Sequence, residues 1–182
     1  MVDRKREEEA RQPVDLYADD GGGLPVVLLH SCAGSASQWS AQLGHLRPQR
    51  RAVALDWRGH GRSGNPADGD YSFTAMAADV AEAADRLGIG RFVLVGHSAG
   101  GLVSLQSAAE HPERVAGLLL VDPAGDARKV PSEQMEPLLT GLDSDAYWDT
   151  IGEYWRFLLT ARLPRYRSVS GRTSKPRRRR PS

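Results

Sequence analysis

Phe92-Val93-Leu94-Val95-Gly96-His97-Ser98-Ala99-Gly100-Gly101 joins an apolar run to a G-x-S-x-G sequence. It continues into Leu102-Val103-Ser104-Leu105-Gln106-Ser107-Ala108-Ala109-Glu110, a stretch of helical composition ended by His111-Pro112. A strand that passes directly into a helix must bend sharply at the junction. Gly96 and Gly100 leave room there, where any Cβ would meet strand or helix backbone. The bend lifts the Ser98 hydroxyl clear of both elements, so the segment reads as a nucleophile elbow with Ser98 as candidate nucleophile.

Outward from this segment, strands and helices alternate. On the N-terminal side, Val26 to Leu29 reads as a strand running into His30-Ser31-Cys32-Ala33-Gly34-Ser35, followed by a helix around Gln38 to Leu46 with Trp39, Leu43 and Leu46 on one face. Ala52 to Leu55 reads as a second strand, closed by Asp56-Trp57-Arg58-Gly59-His60-Gly61-Arg62-Ser63-Gly64. A helix from about Ser72 to Leu87 places Met76, Val80, Ala83, Ala84 and Leu87 on one stripe, and Gly88 stops it. Beyond the elbow helix, Val115 to Val121 reads as a strand ending at Asp122-Pro123-Ala124-Gly125-Asp126, and a short strand is expected near Val14 to Ala18. Near-continuous apolar strands between helices predict the α/β class: a parallel sheet with helices on both faces, binding ligands beyond the carboxyl ends of its strands.

Composition and charge narrow the possibilities. The 182 residues are 40% hydrophobic and 26% charged, the balance of a globular protein. No apolar run is long enough for a membrane span, and residues 1–13 are too charged for a secretory signal, so the expected location is cytoplasmic, with no membrane partner. A single cysteine, Cys32, excludes an intramolecular disulfide, and no metal-ligand cluster or cofactor motif is legible. The net charge of +1 hides an asymmetry. Residues 162–182 hold nine of the 24 basic residues and no acidic one, leaving residues 1–161 with a net charge of −8. That Arg/Pro/Ser-rich tail reads as solvated and disordered in preference to nucleic-acid-binding. The expected organisation is a disordered 1–13, an α/β core over 14–130, a helical region over 131–161 and the basic tail over 162–182. Met135, Leu138, Leu139 and Leu142, then Tyr147, Trp148, Ile151, Tyr154, Trp155 and Leu158, give the helical region wide apolar faces, suited either to a cap over the site or to packing against the sheet.

Three segments, in this order, resemble the α/β-hydrolase fold family in its esterase, epoxide-hydrolase and cofactor-free haloperoxidase branches. His30-Ser31-Cys32-Ala33-Gly34-Ser35 resembles that family's H-G-x-x-G-S turn, with Ser31 standing where the family has glycine. Asp56-Trp57-Arg58-Gly59-His60-Gly61-Arg62-Ser63 is similar to its D-x-R-G-x-G-x-S loop, and the elbow is the third segment. The likeness covers roughly residues 14–160. It implies attack by Ser98 on the acyl carbon of a small-molecule substrate, a carboxylic ester or related compound, with the backbone N–H groups of Cys32 and Ala99 as oxyanion donors. The Cys32 side chain is then expected to be filler rather than nucleophile.

The family orders its triad as serine, acid, histidine along the chain. Asp122, at the end of the strand after the elbow helix, is the candidate acid, with Asp126 a weaker one. No histidine follows His111, which stands at the end of the elbow helix. His30 belongs to the oxyanion turn, His45 to a helix, His60 to the loop after a strand, and the His97 side chain leaves the backbone in a different direction from the Ser98 hydroxyl. The expectation is a family member shortened within the cap, lacking the C-terminal strands, with Val115 to Val121 left as an apolar edge. Loss of the base predicts a fall in catalysis of about six orders of magnitude. Two functions therefore stand: a serine hydrolase with impaired activity, or a non-catalytic homologue acting as a binding or interaction protein. A dinucleotide-binding fold is the remaining structural competitor, given the parallel sheet, but the glycines oppose it, since Val26 to Leu29 leads into His30-Ser31-Cys32 and not G-x-G-x-x-G.

Overall fold

The computed structural model describes residues 22–125 and 129–160. The expected strand at Val14 to Ala18, the termini at 1–13 and 162–182, and Asp126 lie outside them. The described residues divide into two compact units between Lys129 and Val130.

The first unit is an α/β sandwich. Its elements are β1 (Val26–Leu29), a 3₁₀ turn (Ala36–Trp39), α1 (Ser40–Leu46), β2 (Ala52–Leu55), α2 (Phe73–Arg86), β3 (Phe92–His97), α3 (Ala99–Glu110) and β4 (Val115–Val121). The four strands form one parallel sheet in the order β2-β1-β3-β4. Val27 pairs with Val53 on one side and Leu94 on the other, and Leu29 with Leu55 and Gly96.

Side chains alternate across this sheet with period two. Val27, Leu29, Val53, Leu55 and Leu94 pack with Met76, Val80, Ala83 and Ala84 of α2 and Val103 of α3. Val26, Leu28, Ala52, Ala54 and Val95 pack on the opposite face with Ala36, Trp39 and Leu43. Both faces are covered, which is why β1 and β2 are apolar at every position. The helix expected from Gln38 begins instead as the 3₁₀ turn at Ala36 and becomes α-helical at Ser40, yet still turns Trp39 and Leu43 to the core.

Helix α2 shows why its ends were legible. The Ser72 hydroxyl accepts from the Ala75 N–H at its start (3.2 Å). At its end Gly88 adopts φ +65°, the Gly88 N–H donates to the Asp85 carbonyl (3.0 Å) and the Ile89 N–H to the Ala84 carbonyl (2.8 Å). These two bonds satisfy carbonyls that the last turn leaves unpaired, in a Schellman arrangement. Strand β4 ends the described sheet, and Leu119 on it is 55% exposed.

The second unit holds α4 (Ser132–Leu142) and α5 (Tyr147–Thr160). The Ser144 hydroxyl donates to the Gly141 carbonyl (2.8 Å) and accepts from the Ala146 N–H (3.1 Å), closing the turn between them. Trp148 stacks edge-on against Tyr147 with ring centroids 5.1 Å apart and remains 79% exposed. No helix among the described residues is long and apolar enough to cross a membrane.

Candidate active site

The strand order places the site. From β1 the chain moves to β2 on one side, then returns to add β3 on the other side of β1, so the order reverses between β1 and β3. Loops leaving the carboxyl ends of these two strands diverge and leave a crevice there. The two loops are the Ser31–Gly34 turn and the elbow.

At the elbow Ser98 has φ +53° and ψ −120°, between the end of β3 and the first residue of α3. A side chain in this region costs about 1–3 kcal/mol, and the surroundings must hold it there. Three backbone bonds do so: the Ser98 N–H donates to the Val121 carbonyl (3.1 Å), and its carbonyl accepts from the N–H groups of Gly101 (2.9 Å) and Ala124 (3.1 Å). A Cβ on Gly96 would collide with the Gly100 carbonyl and the Ser104 hydroxyl, and one on Gly100 with the carbonyls of His30 and Leu29. The first turn of α3 thus sits directly against the end of β1. Ser98 is half-buried at the bend. The Ala99 N–H opens the helix and has no acceptor within it.

The facing turn is closed by the Gly34 N–H donating to the Ser31 carbonyl (3.0 Å), with Ala33 at φ +56°. The N–H of the second residue of such a turn, Cys32, takes no part in the closing bond. Cys32 itself is exposed. The Ser31 N–H donates to Oε1 of Gln38 (3.2 Å) and the Ser31 hydroxyl to the same oxygen (3.0 Å), while Nε2 of Gln38 lies 2.7 Å from Nδ1 of His97.

Beneath the turn, His30 and Asp56 are buried at the ends of β1 and β2. The Asp56 carboxylate accepts from the Ala36 N–H (2.6 Å) and the Arg62 N–H (3.1 Å), and its main-chain carbonyl from the Ser63 hydroxyl (2.6 Å). It therefore braces both loops, which explains an aspartate at this place in the D-x-R-G-x-G-x-S segment. Gly61, at φ +56°, leaves the space that the carboxylate fills. His30 donates from Nδ1 to the Ser31 carbonyl (2.8 Å) and packs against the rings of Trp57 and His60, with centroids at 4.9 and 5.3 Å. Burial pushes its pKa down to about 4, outweighing the upward pull of the Ser31 carbonyl. It is a neutral, structural imidazole.

Asp122 immediately follows the residue paired with His97, at φ +42°, with its side chain exposed. The carbonyl before it and the Ala124 N–H after it both bond the Ser98 backbone, so Asp122 lies on the loop that wraps the elbow. The histidines are engaged elsewhere. His60 points Nδ1 at the Arg58 carbonyl (3.1 Å). His111 caps the far end of α3, about 20 Å along the helix from Ser98. His45 is exposed on α1, and His97 is held by Gln38. Among the described residues no histidine is bonded to the Ser98 hydroxyl. The structure thus ties the Ser31–Gly34 turn to the elbow through Gln38 and wraps the elbow with the loop that carries Asp122. Gln38 is the participant that sequence reasoning missed, because a polar residue beside a buried tryptophan carries no distinguishing signal.

Comparison with known proteins matches this architecture. Residues 25–178 match the profile of the family described as "alpha/beta hydrolase fold". A protein of Klebsiella pneumoniae (strain 342) named "Putative carbamate hydrolase RutD" is 41% identical over 101 residues, 55% of this chain and 38% of that relative. Among solved structures, Est816, an N-acyl homoserine lactone degrading enzyme, superposes with a TM-score of 0.68 at 32% identity, covering 83% of this chain and 57% of its own. A thermophilic esterase from Thermogutta terrifontis gives 0.62 at 31% identity, covering 74% and 54%. The chain spans about two fifths of the length of the curated relative and little more than half of each of these solved chains. It belongs to the α/β-hydrolase fold family.

Proposed function

We propose that the chain carries the nucleophile and oxyanion-binding half of a serine hydrolase acting on carboxylic esters or related acyl compounds, a class that takes in the carbamates, lactones and esters named for its relatives. The observation that carries this reading is the strained backbone of Ser98 at a strand-to-helix bend whose flanking glycines leave no space for a Cβ. Strain of this kind clusters where a fold positions a reacting group.

In this reading the Ser98 oxygen bonds to the acyl carbon, and the carbonyl electron pair moves onto oxygen. The N–H groups of Cys32 and Ala99 receive that charge, each donor being worth about 3–4 kcal/mol in the transition state. Collapse breaks the bond to the alcohol or amine, which leaves with the proton given up by the Ser98 hydroxyl, and water then adds to the acyl-enzyme, releasing the acid and returning a proton to Ser98. Asp122 is the acid expected to orient a histidine base. The described residues of the first unit carry this chemistry.

None of the five histidines stands at the Ser98 hydroxyl, and this favours a second reading, in which the chain binds an acyl compound without turning it over. A fluorophosphonate probe tests the first. Labelling of the folded chain, abolished in Ser98→Ala, is expected, together with a slow, impaired ester turnover that is also lost in Ser98→Ala. Labelling without turnover selects the second reading, and labelling that persists in Ser98→Ala removes the first.

A further inference from the structure

The two halves of the site leave the sheet from neighbouring strands, and the last ladder pair between those strands is Leu29 with Gly96. Beyond it, no backbone bond joins residues 31–34 to residues 98–100 among the described residues. The side chain of Gln38 spans this gap, with Oε1 on the N–H and hydroxyl of Ser31 and Nε2 on Nδ1 of His97. Ser31 precedes the oxyanion donor Cys32, and His97 precedes the nucleophile Ser98.

The chemistry fixes which atom faces which. A backbone N–H can only donate, so the Gln38 oxygen must face Ser31. The amide NH₂ can only donate, so Nδ1 of His97 must accept, and the neutral ring then carries its proton on Nε2. One ring nitrogen is occupied as acceptor and the other has no free lone pair, so His97 in this arrangement is no base for Ser98. Gly34 makes room for the link, since a Cβ there would lie 3.0 Å from the Ser31 carbonyl and 3.2 Å from Oε1 of Gln38.

We propose that Gln38 is a positioning residue, clamping the Ser31–Gly34 turn to the elbow and thereby setting the placement of the Cys32 amide relative to the Ser98 hydroxyl. This rests on the serine-hydrolase reading above. It also gives Ser31 a task that glycine could fulfil only in part, because its hydroxyl adds a second bond to the clamp.

The test is the reaction of a fluorophosphonate with the full chain, resolved into the rate of the bonded step and the affinity of the preceding complex, alongside thermal melting. Gln38→Met, which removes both arms of the clamp, should slow the bonded step roughly 10- to 100-fold with little change in affinity or melting temperature, the effect of misplacing a donor by a fraction of an ångström to an ångström. Gln38→Glu keeps the acceptor for Ser31, and its second oxygen can accept from His97 once the ring carries a proton on Nδ1, so it should retain most of the wild-type rate and lie well above Gln38→Met. A bonded-step rate equal to wild type in Gln38→Met overturns the clamp, as does a loss explained wholly by a smaller folded fraction. If the wild type does not label at all, the Ser98 reading fails by itself, and imidazole ¹⁵N spectra then judge the clamp. The Nε2-protonated form of His97 is expected in wild type and a mixture of tautomers in Gln38→Met, whereas identical spectra overturn it.

Discussion

The Nε2 atom of His30 lies 3.8 Å from Oδ1 of Asp56, and both side chains are sealed from solvent at the ends of adjacent strands. No hydrogen bond joins them. Nδ1 of His30 carries the proton given to the Ser31 carbonyl, so a bare lone pair faces the carboxylate. Protonation would turn this pair into an ion pair, yet desolvation of the imidazolium outweighs that gain and holds the pKa near 4.

The folded pKa of about 4 lies below the ordinary 6.5, so between these values the unfolded chain binds a proton that the folded chain refuses. Stability attributable to His30 is therefore intact above pH 6.5 and declines as pH falls toward 4, by at most about 3 kcal/mol. His30→Asn keeps a donor for the Ser31 carbonyl and does not titrate. Urea unfolding across this window should show a steeper acid loss in wild type than in the variant, and parallel curves would remove the assignment.

Glycines of the first unit should separate into two classes. Gly88→Ala meets nothing within 4 Å and bears only the cost of positive φ, about 1–2 kcal/mol. Gly100→Ala drives a methyl group into two main-chain carbonyls of β1 and its exit, which cannot yield as a side chain can, and should cost about 3 kcal/mol or more. Equal effects in thermal melting would contradict the close approach of α3 to β1.

Arg58 grips Asp79 of α2 with two bonds, Nε to Oδ2 and Nη2 to Oδ1 at 2.6 Å each, and its Nη1 donates to the Asp70 carbonyl (2.7 Å). The Asp79 bonds are the main cause holding the Arg58 pKa above its ordinary value. A double-mutant cycle of Arg58→Met with Asp79→Asn should return a coupling of about 1 kcal/mol, smaller at high salt because the pair is partly exposed. Zero coupling would assign the loop after β2 to other anchors, chiefly Asp56.

Leu119, half exposed on the outermost described strand, should drive self-association of the 182-residue chain. Leu119→Lys is expected to lower light scattering at high concentration while changing stability by less than about 1 kcal/mol. Unchanged scattering would place the association elsewhere.

Much of the fold was legible because its signals are local. Val26–Leu29 and Ala52–Leu55 are short apolar runs bounded by Pro25 and His30, and by Arg51 and Asp56. The Ser72 cap, the stripe through Met76, Val80, Ala83 and Ala84, and the Gly88 stop each act within a few residues of chain. Contacts between distant segments left no such trace. Gln38 reaches His97 across 59 positions and Asp56 reaches back 20 positions to Ala36, and neither bond shows in the pattern of the residues that make it. Ala33 and Asp122 take positive φ without being glycine, because tertiary bonds around each turn hold a conformation that local sterics disfavour.

The sequence by itself determined the class of fold, the elements and the bend at Ser98, since hydrophobic period and the volume of a missing Cβ are properties of neighbouring residues. Tertiary structure alone decided that β1 lies between β2 and β3 and hence that the Cys32 turn faces the elbow. It also decided that His30 is sealed and neutral and that Gln38 links the two loops. Strand pairing and desolvation arise from segments brought together in space, and no stretch of chain encodes them alone.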